Sequence, residues 1–207
     1  NRKERKAGTI RLNSEVWITS VVGFLEFFFL ITFSTNIAIH LSGALEGNST
    51  VSGILTGAFS GIQIVAGFIL GSVTKRTGKL TLSAAMLSFS LGVCFLLLFP
   101  SRLQMLFIGA LLCGFSQGIF IPTGMVAVAN AADTTSCAMA SAVFTCAMSL
   151  GQFLSPTILN KVAGTLLGEI TTENVFIIAA SGMTISAFLA ALWKLSSNQK
   201  LYKGGLR

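Results

Sequence analysis

Charged side chains are scarce in this chain, since only 10% of its 207 residues are Asp, Glu, Lys or Arg. A soluble domain carries about 25% charged residues, so the scarcity argues against a soluble globular protein. Disorder is excluded because a disordered segment has low hydrophobicity, whereas 53% of these residues are hydrophobic and the mean hydropathy is +0.80. The remaining class is a membrane protein that crosses the lipid several times.

Metal ligands are also few. The chain has one His and four Cys, and no two cysteines form a CxxC pair. A zinc site needs four such ligands close together, so neither a metal nor another cofactor is expected. Buried cysteine behaves as a small hydrophobic residue, and we interpret Cys94, Cys113, Cys137 and Cys146 as packing residues.

Long apolar runs make up most of the chain. Six runs of 19 to 27 residues can be delimited: 16–41, 51–73, 80–99, 103–129, 137–159 and 175–193. About 20 residues of helix cross the hydrocarbon core, whereas barrel strands would be short and alternating. The predicted fold class is therefore an all-α membrane protein with six transmembrane helices. Residues 1–15 precede this bundle, residues 194–207 follow it as a tail, and the longest internal connection is predicted at 160–174.

The distribution of Lys and Arg predicts an orientation. With six spans, twelve of the fourteen basic residues fall on the side of the two termini, and only Arg102 and Lys161 fall on the other. Translocated loops disfavour basic residues, so both termini are predicted to be cytoplasmic. A nucleic-acid partner is not expected, because the basic residues lie in short pieces next to the membrane.

Polar side chains predicted at the depth of the membrane mark the candidate binding residues. Glu26 lies ten residues into the first run, about 15 Å along a helix and so near the middle of a core of about 30 Å. No other ionisable group is predicted at this depth, and a charge there needs a partner, water or a proton. Gln63, Gln117 and Gln152 are predicted at comparable depth, and Asn36 lies further toward the outer end of the first run.

These polar residues fall in four of the six runs, because the third and sixth contain no Asp, Glu, Asn, Gln, Lys, Arg or His. Runs one, two, four and five are therefore predicted to enclose something polar, with three and six as outer supports. For any single amide, a hydrogen bond between two helices is an equally good explanation. For Glu26 the alternative is a protonated carboxyl group that bonds a neighbouring helix.

The fifth run carries a polar stripe whose members are spaced by 4, 4, 3 and 3 residues, on one face of a helix. They are Ser141, Thr145, Ser149, Gln152 and Ser155. The opposite face is predicted to carry Val143, Ala147, Leu150, Leu154 and Ile158. Such a stripe in a membrane helix indicates the border of a water-filled cavity.

Small residues and prolines predict how the helices pack. Glycines recur every fourth residue at Gly53, Gly57 and Gly61 and again at Gly114 and Gly118. Without a Cβ atom the helix backbones can approach closely, so these repeats predict helix contacts. Two prolines, Pro122 and Pro156, are predicted to bend the fourth and fifth spans.

The loop between the second and third runs reads GSVTKRTGK. It resembles the loop motif of the major facilitator superfamily, G-x-L-x-D-R-x-G-R-R, which follows the family's second and eighth helices. Gly71, Arg76, Gly78 and Lys79 match this motif, and Lys75 stands where the first-half copy has Asp, which favours the second-half copy. The resemblance implies a gating role for this loop, and orientation by positive charge or contact with anionic lipids would explain its basic residues nearly as well.

The fifth run adds a second similarity, in the sequence GQFLSP from Gly151 to Pro156. It is similar to the G-x-x-x-G-P motif of helix eleven in the drug:proton antiporter branches, with Ser155 in place of the second Gly. Together the two motifs imply that the chain is the carboxyl-terminal six-helix half of such a transporter, with 1–15 as the end of a central cytoplasmic linker. In that half the family's helices seven, eight, ten and eleven border the cavity. This agrees with the occurrence of the polar residues in runs one, two, four and five.

The function predicted on this basis is proton-coupled secondary transport of a small molecule by alternating access. The expected partners are an amino-terminal six-helix half, the substrate, protons and lipids, and the expected location is the plasma membrane. A structural or assembly subunit, or an isolated remnant half, is the alternative. An enzyme is not expected, because one buried Glu and the peripheral His40 make a poor catalytic set.

Overall fold

A computed structural model describes the backbone of residues 12–44 and 49–204 and the side chains of 12–41 and 50–196. Within these residues the chain is helical and contains no strand. The elements are α1 (Ser14–Ala44), α2 (Ser49–Thr77), a 3-10 turn (Gly78–Leu80), α3 (Thr81–Leu98), α4 (Leu103–Ala131), α5 (Cys137–Leu167) and α6 (Thr172–Gly204). The predicted class, an all-helical protein of long apolar helices, is confirmed.

Five segments of the described chain are long and apolar enough to cross a membrane. One of them, Thr50–Leu98, has 49 residues and contains both α2 and α3. Helices satisfy their backbone hydrogen bonds internally, which is what a lipid environment requires. Six separate crossings remain a prediction.

The junction between α2 and α3 is a tight turn around a glycine. Gly78 has φ of 55°, a left-handed conformation that glycine adopts without strain. The hydroxyl of Thr77 donates to the carbonyl oxygen of Val73 at 2.8 Å, and that of Thr81 donates to the carbonyl oxygen of Gly78 at 2.6 Å. The basic residues of the predicted gating loop therefore lie in the last turns of α2 and in this turn.

Helices α5 and α6 extend beyond the ends of the predicted apolar runs. Much of the predicted connection at 160–174 is helical, since α5 continues to Leu167 and only four residues separate it from α6. Asn160 and Lys161 interrupt the apolar run, but a helix can continue past the hydrocarbon region, and here it ends at Gly168 with φ of 81°. At the other end of the chain, α6 extends to Gly204, so the predicted tail begins as helix.

Aromatic rings join the helices at the centre of the bundle. The rings of Phe33 on α1 and Phe59 on α2 stack with centroids 4.7 Å apart, and those of Phe120 on α4 and Phe144 on α5 lie 6.5 Å apart. Around this centre, α5 and α6 pack against α1, α2 packs against α4, and α3 packs between α4 and α6. Burial of these large side chains and complementary packing hold the described helices together.

The outward faces of α3 and α6 are apolar stripes. Their exposed large side chains are Leu87, Leu91 and Leu98 on α3 and Ile177, Ile185, Phe188, Leu189, Leu192 and Leu195 on α6. Such faces suit contact with lipid tails. Large apolar side chains are also exposed on α2 and α5, so the interpretation of α3 and α6 as outer helices stays a prediction.

Contacts between α1 and α6 show that the two helices run antiparallel. Glu15 near the start of α1 forms an ion pair with Lys194 of α6, whose ammonium group lies 5.1 Å from the centre of the Trp193 ring. Near the other end, Nδ1 of His40 lies 3.2 Å from the hydroxyl of Thr172, the first residue of α6. The start of α1 and the late part of α6 are therefore at one end of the bundle.

Some predictions fall outside the described residues. Residues 1–11 and 205–207 include most of the predicted linker end and the last part of the predicted tail.

Candidate functional site

Glu26 lies inside the bundle, on α1, with none of its surface exposed. The hydroxyl of Ser116 on α4 donates a hydrogen bond of 2.8 Å to Oε1, while Oε2 has no hydrogen-bond partner among the described residues. An ionised carboxylate without a cationic partner is costly at such a position. The group would gain from binding either a proton or a cation at Oε2.

Two of the predicted glutamines meet at the contact between α2 and α4. The amide nitrogen of Gln63 donates to the amide oxygen of Gln117 at 2.9 Å, and both side chains are partly buried. Two carboxamides can satisfy each other in this way and leave further donors and acceptors free. The pair can therefore serve as a helix contact, as a binding group, or as both.

The two polar contacts share one turn of α4. Ser116 and Gln117 are consecutive, so their side chains leave the helix about 100° apart and reach different neighbours. Ser116 bonds α1 through Glu26, and Gln117 bonds α2 through Gln63. Three of the five predicted binding residues are thereby linked through a residue that the sequence did not single out, because serine is common in apolar helices.

The other two predicted binding residues stand apart from this group. The amide nitrogen of Asn36 donates to the carbonyl oxygen of Thr32 at 3.2 Å and to the hydroxyl of Thr35 at 2.9 Å, all on α1. Gln152 is exposed on α5. The structure therefore places Gln152 on an open face of the bundle and Asn36 in contacts within its own helix.

The polar stripe of α5 lies largely on that open face. Ser141 is partly buried, and Thr145, Ser149 and Gln152 are exposed. The placement of Ser155 on the stripe that borders a cavity is wrong, since this side chain is buried at 1% exposure and belongs to the packed face. That packed face consists of Ala140, Phe144, Met148, Gly151, Ser155, Leu159 and Ala163.

The apolar residues opposite the polar stripe of α5 lie in two environments. Leu150 and Ile158 are exposed, while Val143, Ala147 and Leu154 are partly buried. The position of α1 determines which face of α5 is packed, and that face combines small residues with larger ones. A sequence periodicity of polar residues could not locate that neighbour.

Within the motif of α5, Gly151 permits close contact with α1. A Cβ atom at Gly151 would lie within 3 Å of the backbone carbonyl oxygen of Phe24. Pro156 lies inside the same helix. The small residue of this motif thus has a packing role in the described chain.

The two glycine repeats behave differently. A Cβ atom at Gly114 or Gly118 of α4 would collide with the backbone of α2, as the repeat predicted. At Gly53, Gly57 and Gly61 of α2, nothing in the described chain lies within 4 Å of such an atom. The predicted helix contact at Gly53, Gly57 and Gly61 is wrong for the described chain, because α2 packs on α4 through the face that carries Phe59 and Ala66.

The predicted gating residues lie at the α2–α3 junction. Gly71 and Lys75 are exposed on α2, Arg76 is exposed in its last turn, and Gly78 and Lys79 belong to the 3-10 turn. This turn contacts α6, near the end of the bundle where Lys194 pairs with Glu15. Basic side chains therefore gather at one end of the described bundle.

The described residues contain no cluster of three or more His, Cys, Asp or Glu side chains that could hold a metal ion. Cys94, Cys113, Cys137 and Cys146 are free thiols, of which Cys113 is buried and Cys94 and Cys146 are exposed.

The fold and its interior polar contacts define a helical protein that spans a membrane with hydrogen-bonding groups at depth. Residues 19–203 match the family model of the Major Facilitator Superfamily. Because the match extends over most of the chain, the chain belongs to the major facilitator superfamily, and it is an integral membrane transporter of that type. Comparison with curated proteins gave no match, and comparison with solved structures gave none.

Proposed function

We propose that the chain is one six-helix half of a secondary transporter that moves a small molecule by alternating access and couples this movement to protons. The observation that carries the proposal is the fully buried Glu26, whose Oε2 has no hydrogen-bond partner among the described residues. A carboxyl group that is alternately protonated and ionised in such a place can drive a change between two packed states. Membership of a transporter family makes this use of the group reasonable.

The open faces of α2 and α5 support a second half as partner. Exposed positions of α2 include Gly53, Thr56, Gly57, Ser60 and Gly61, and those of α5 include Thr145, Ser149 and Gln152. These faces also expose large apolar side chains such as Phe68 on α2 and Phe153 on α5, but glycine, serine, threonine and glutamine interrupt them, unlike the leucine and isoleucine stripes of α3 and α6. Exposed polar groups and glycines suit contact with another helix better than contact with lipid tails. We therefore place the missing half, covalent or separate, and the substrate path on this side of the bundle.

Substrate contacts in this half are assigned to neutral groups. Gln152 lies on the proposed path, and Gln63, Gln117 and Asn36 are partly buried amides that keep unused hydrogen-bonding capacity. Amides and hydroxyls fix orientation without the desolvation cost of a charge. Glu26 is assigned to proton binding and not to substrate contact, because its side chain is fully buried.

The basic end of the bundle is proposed to face the cytoplasm of the plasma membrane. Lys75, Arg76 and Lys79 would then lie at the inner surface, where they are suited to gating contacts and to anionic lipid head groups. The positive-inside bias also accounts for their position.

Transport into lipid vesicles tests the proposal. The full-length protein is reconstituted with an imposed pH gradient, and uptake is measured for three radiolabelled probes: a lipophilic cation (tetraphenylphosphonium), a neutral sugar (glucose) and a dicarboxylate (succinate). For the probe that is taken up, we expect Glu26→Gln to abolish accumulation driven by the gradient while exchange between the two sides persists.

Glu15→Gln is the matched control, since Glu15 lies on the same helix but at its end, where it pairs with Lys194. It should leave accumulation within about twofold of the unchanged protein, because a partly exposed ion pair at a helix end contributes little. Accumulation that is equal in all three proteins would refute the coupling role of Glu26.

A structural or assembly subunit is the second candidate. The bond between Gln63 and Gln117 favours it, because interhelical amide contacts are common in membrane proteins that carry no substrate. Failure of the full-length protein to transport any of a broad set of probes, together with stable incorporation into a larger complex, would support this candidate.

A further inference from the structure

The hydroxyl of Ser116 is directed toward another helix, unlike most hydroxyls in the described chain. Serine and threonine side chains in helices usually donate to the carbonyl oxygen one turn earlier, as Ser20 does to Val16 and Thr123 does to Ile119. Ser116 instead donates to the carboxyl group of Glu26 on α1. Both side chains have no exposed surface, so water does not compete for this bond in the described structure.

A neighbouring helix occupies the alternative acceptor. The carbonyl oxygen one turn before Ser116 is that of Leu112, and it accepts a hydrogen bond of 3.0 Å from the hydroxyl of Ser88 on α3. With that oxygen already bonded by Ser88 and by the helix backbone, Ser116 has little to gain from turning toward its own helix. The hydroxyl is thereby held on Oε1 of Glu26.

We propose that Ser116 is the positioning residue for proton exchange at Glu26, holding Oε1 by a hydrogen bond and leaving Oε2 as the atom that takes up and releases the proton. This inference rests on the proton coupling put forward above as the proposed function. Oε2 is the buried carboxyl oxygen without a partner, so a proton added there meets no competing donor. The step is simple proton transfer, in which carboxylate and hydronium give carboxyl and water.

Few other titratable or charged groups face this site. Cys113 lies three residues before Ser116 on α4, and its thiol donates to the carbonyl oxygen of Phe89 at 3.8 Å. Among the other charged side chains of the described residues, Glu15, Arg102 and Glu173 lie at helix starts, and Asp133 and Glu169 lie in connections. Lys75, Arg76 and Lys79 lie at the α2–α3 junction, and Lys161 and Lys194 lie in the later halves of α5 and α6. Within the described residues the Ser116 hydroxyl is the hydrogen-bond donor to the carboxyl group.

Infrared difference spectroscopy of the full-length protein in lipid vesicles, titrated with pH, tests the inference without a substrate. The carbonyl stretch of a protonated carboxyl group reports Glu26, and its loss in Glu26→Gln assigns the band. A thiol has no such stretch, so Cys113 does not interfere. The Ser116 donor stabilises the ionised form, and we expect Ser116→Ala to move the midpoint of the band to higher pH by about one unit.

Conservative and control variants separate positioning from packing. Ser116→Thr keeps the hydroxyl, so the midpoint of the Glu26 band should equal that of the unchanged protein. Ser116→Cys has a side chain of similar size with a weaker donor, so its midpoint should lie between those of the unchanged protein and Ser116→Ala. Ser90→Ala removes a buried interhelical hydroxyl that bonds the carbonyl oxygen of Ala180, and it should leave the midpoint unchanged. Thermal unfolding of each variant confirms that the measured protein is folded.

The outcomes distinguish this inference from the proposed function. A midpoint that is the same in Ser116→Ala as in the unchanged protein, or an equal shift in Ser90→Ala, would overturn the positioning role. A Glu26 band that shifts as expected, combined with accumulation that is insensitive to Glu26→Gln, would leave the positioning role standing and refute the proton coupling. Absence of any titrating band that depends on Glu26 would refute both.

Discussion

The amide pair between Gln63 and Gln117 is the residue-scale feature whose role can be decided by substitution. Replacing one member with Leu leaves the other with an unpaired amide inside the bundle, whereas replacing both removes the mismatch. In membranes such interhelical bonds are worth about 0.6 kcal/mol on average. We expect each single Leu variant to lower the unfolding free energy by about 1 kcal/mol and the double variant to recover most of it, as measured by thermal unfolding in detergent.

Transport by the double variant then separates binding from packing. If the amides bind substrate, Gln63→Leu with Gln117→Leu folds normally but loses transport by tenfold or more, which corresponds to about 1.4 kcal/mol of lost binding. Full transport by the double variant would contradict the binding role and leave the pair as a helix contact. Leu is a suitable replacement because it keeps the volume of the side chain approximately constant.

Single residues also show the limits of the sequence for this site. The depth of Glu26 follows from counting along one apolar run, and the structure places the residue in the interior. Its partner Ser116 could not be predicted, because partnership depends on the rotation of α4 relative to α1, which no local pattern encodes. Ser155 was assigned to the wrong face for the same reason, since helical periodicity defines a face but not its neighbour.

Gly151 is one of the glycines at the close contact between α1 and α5. A Cβ atom at Gly151 would meet the backbone of Phe24, which cannot move aside as a side-chain end could. We expect Gly151→Ala to reduce the unfolding free energy by about 1–3 kcal/mol from overpacking, partly offset by about 1 kcal/mol of helix propensity. Thermal unfolding of the 207-residue chain in detergent measures the net loss.

The glycines of α2 provide the matched control for this prediction. Gly57→Ala adds the same methyl group to a helix, but nothing in the described chain lies within 4 Å of it. In the 207-residue chain it should be neutral or slightly stabilising. A loss at Gly57 equal to that at Gly151 would contradict the packing argument, whereas a loss confined to the full-length protein would support a second half that covers this face of α2.

At the scale of helices, the sequence predicts the existence of elements better than their ends. Apolar runs locate the helices because lipid demands internal hydrogen bonding over about 20 residues. They do not predict that α5 continues to Leu167, since a helix outside the hydrocarbon needs no apolar residues. The turn at Pro100 was predictable, and the amide of Arg102 there donates to the carbonyl oxygen of Phe99 at 3.1 Å.

The whole molecule has an asymmetric distribution of charge. At one end, Lys75 and Arg76 lie in the last turn of α2, Lys79 lies in the 3-10 turn, and the Glu15–Lys194 pair joins α1 to α6. The opposite end has fewer basic side chains in the described chain, with Arg102 before α4 and Lys161 in the last turns of α5. Because basic loops resist translocation, this distribution is expected to determine which end stays in the cytoplasm.

Cysteine labelling from the two sides of the membrane tests that orientation. Starting from a protein in which the four native cysteines are replaced by Ser or Ala, Lys79→Cys and Lys161→Cys place single thiols at opposite ends, both at exposed positions. With an impermeant maleimide on intact cells, we expect Lys161→Cys to react and Lys79→Cys to react only after the cells are permeabilised. The reverse pattern would contradict the cytoplasmic assignment of the basic end. Equal labelling of both thiols in intact cells would show that opposite ends of the bundle do not lie on opposite sides of the membrane, and would refute the spanning arrangement itself.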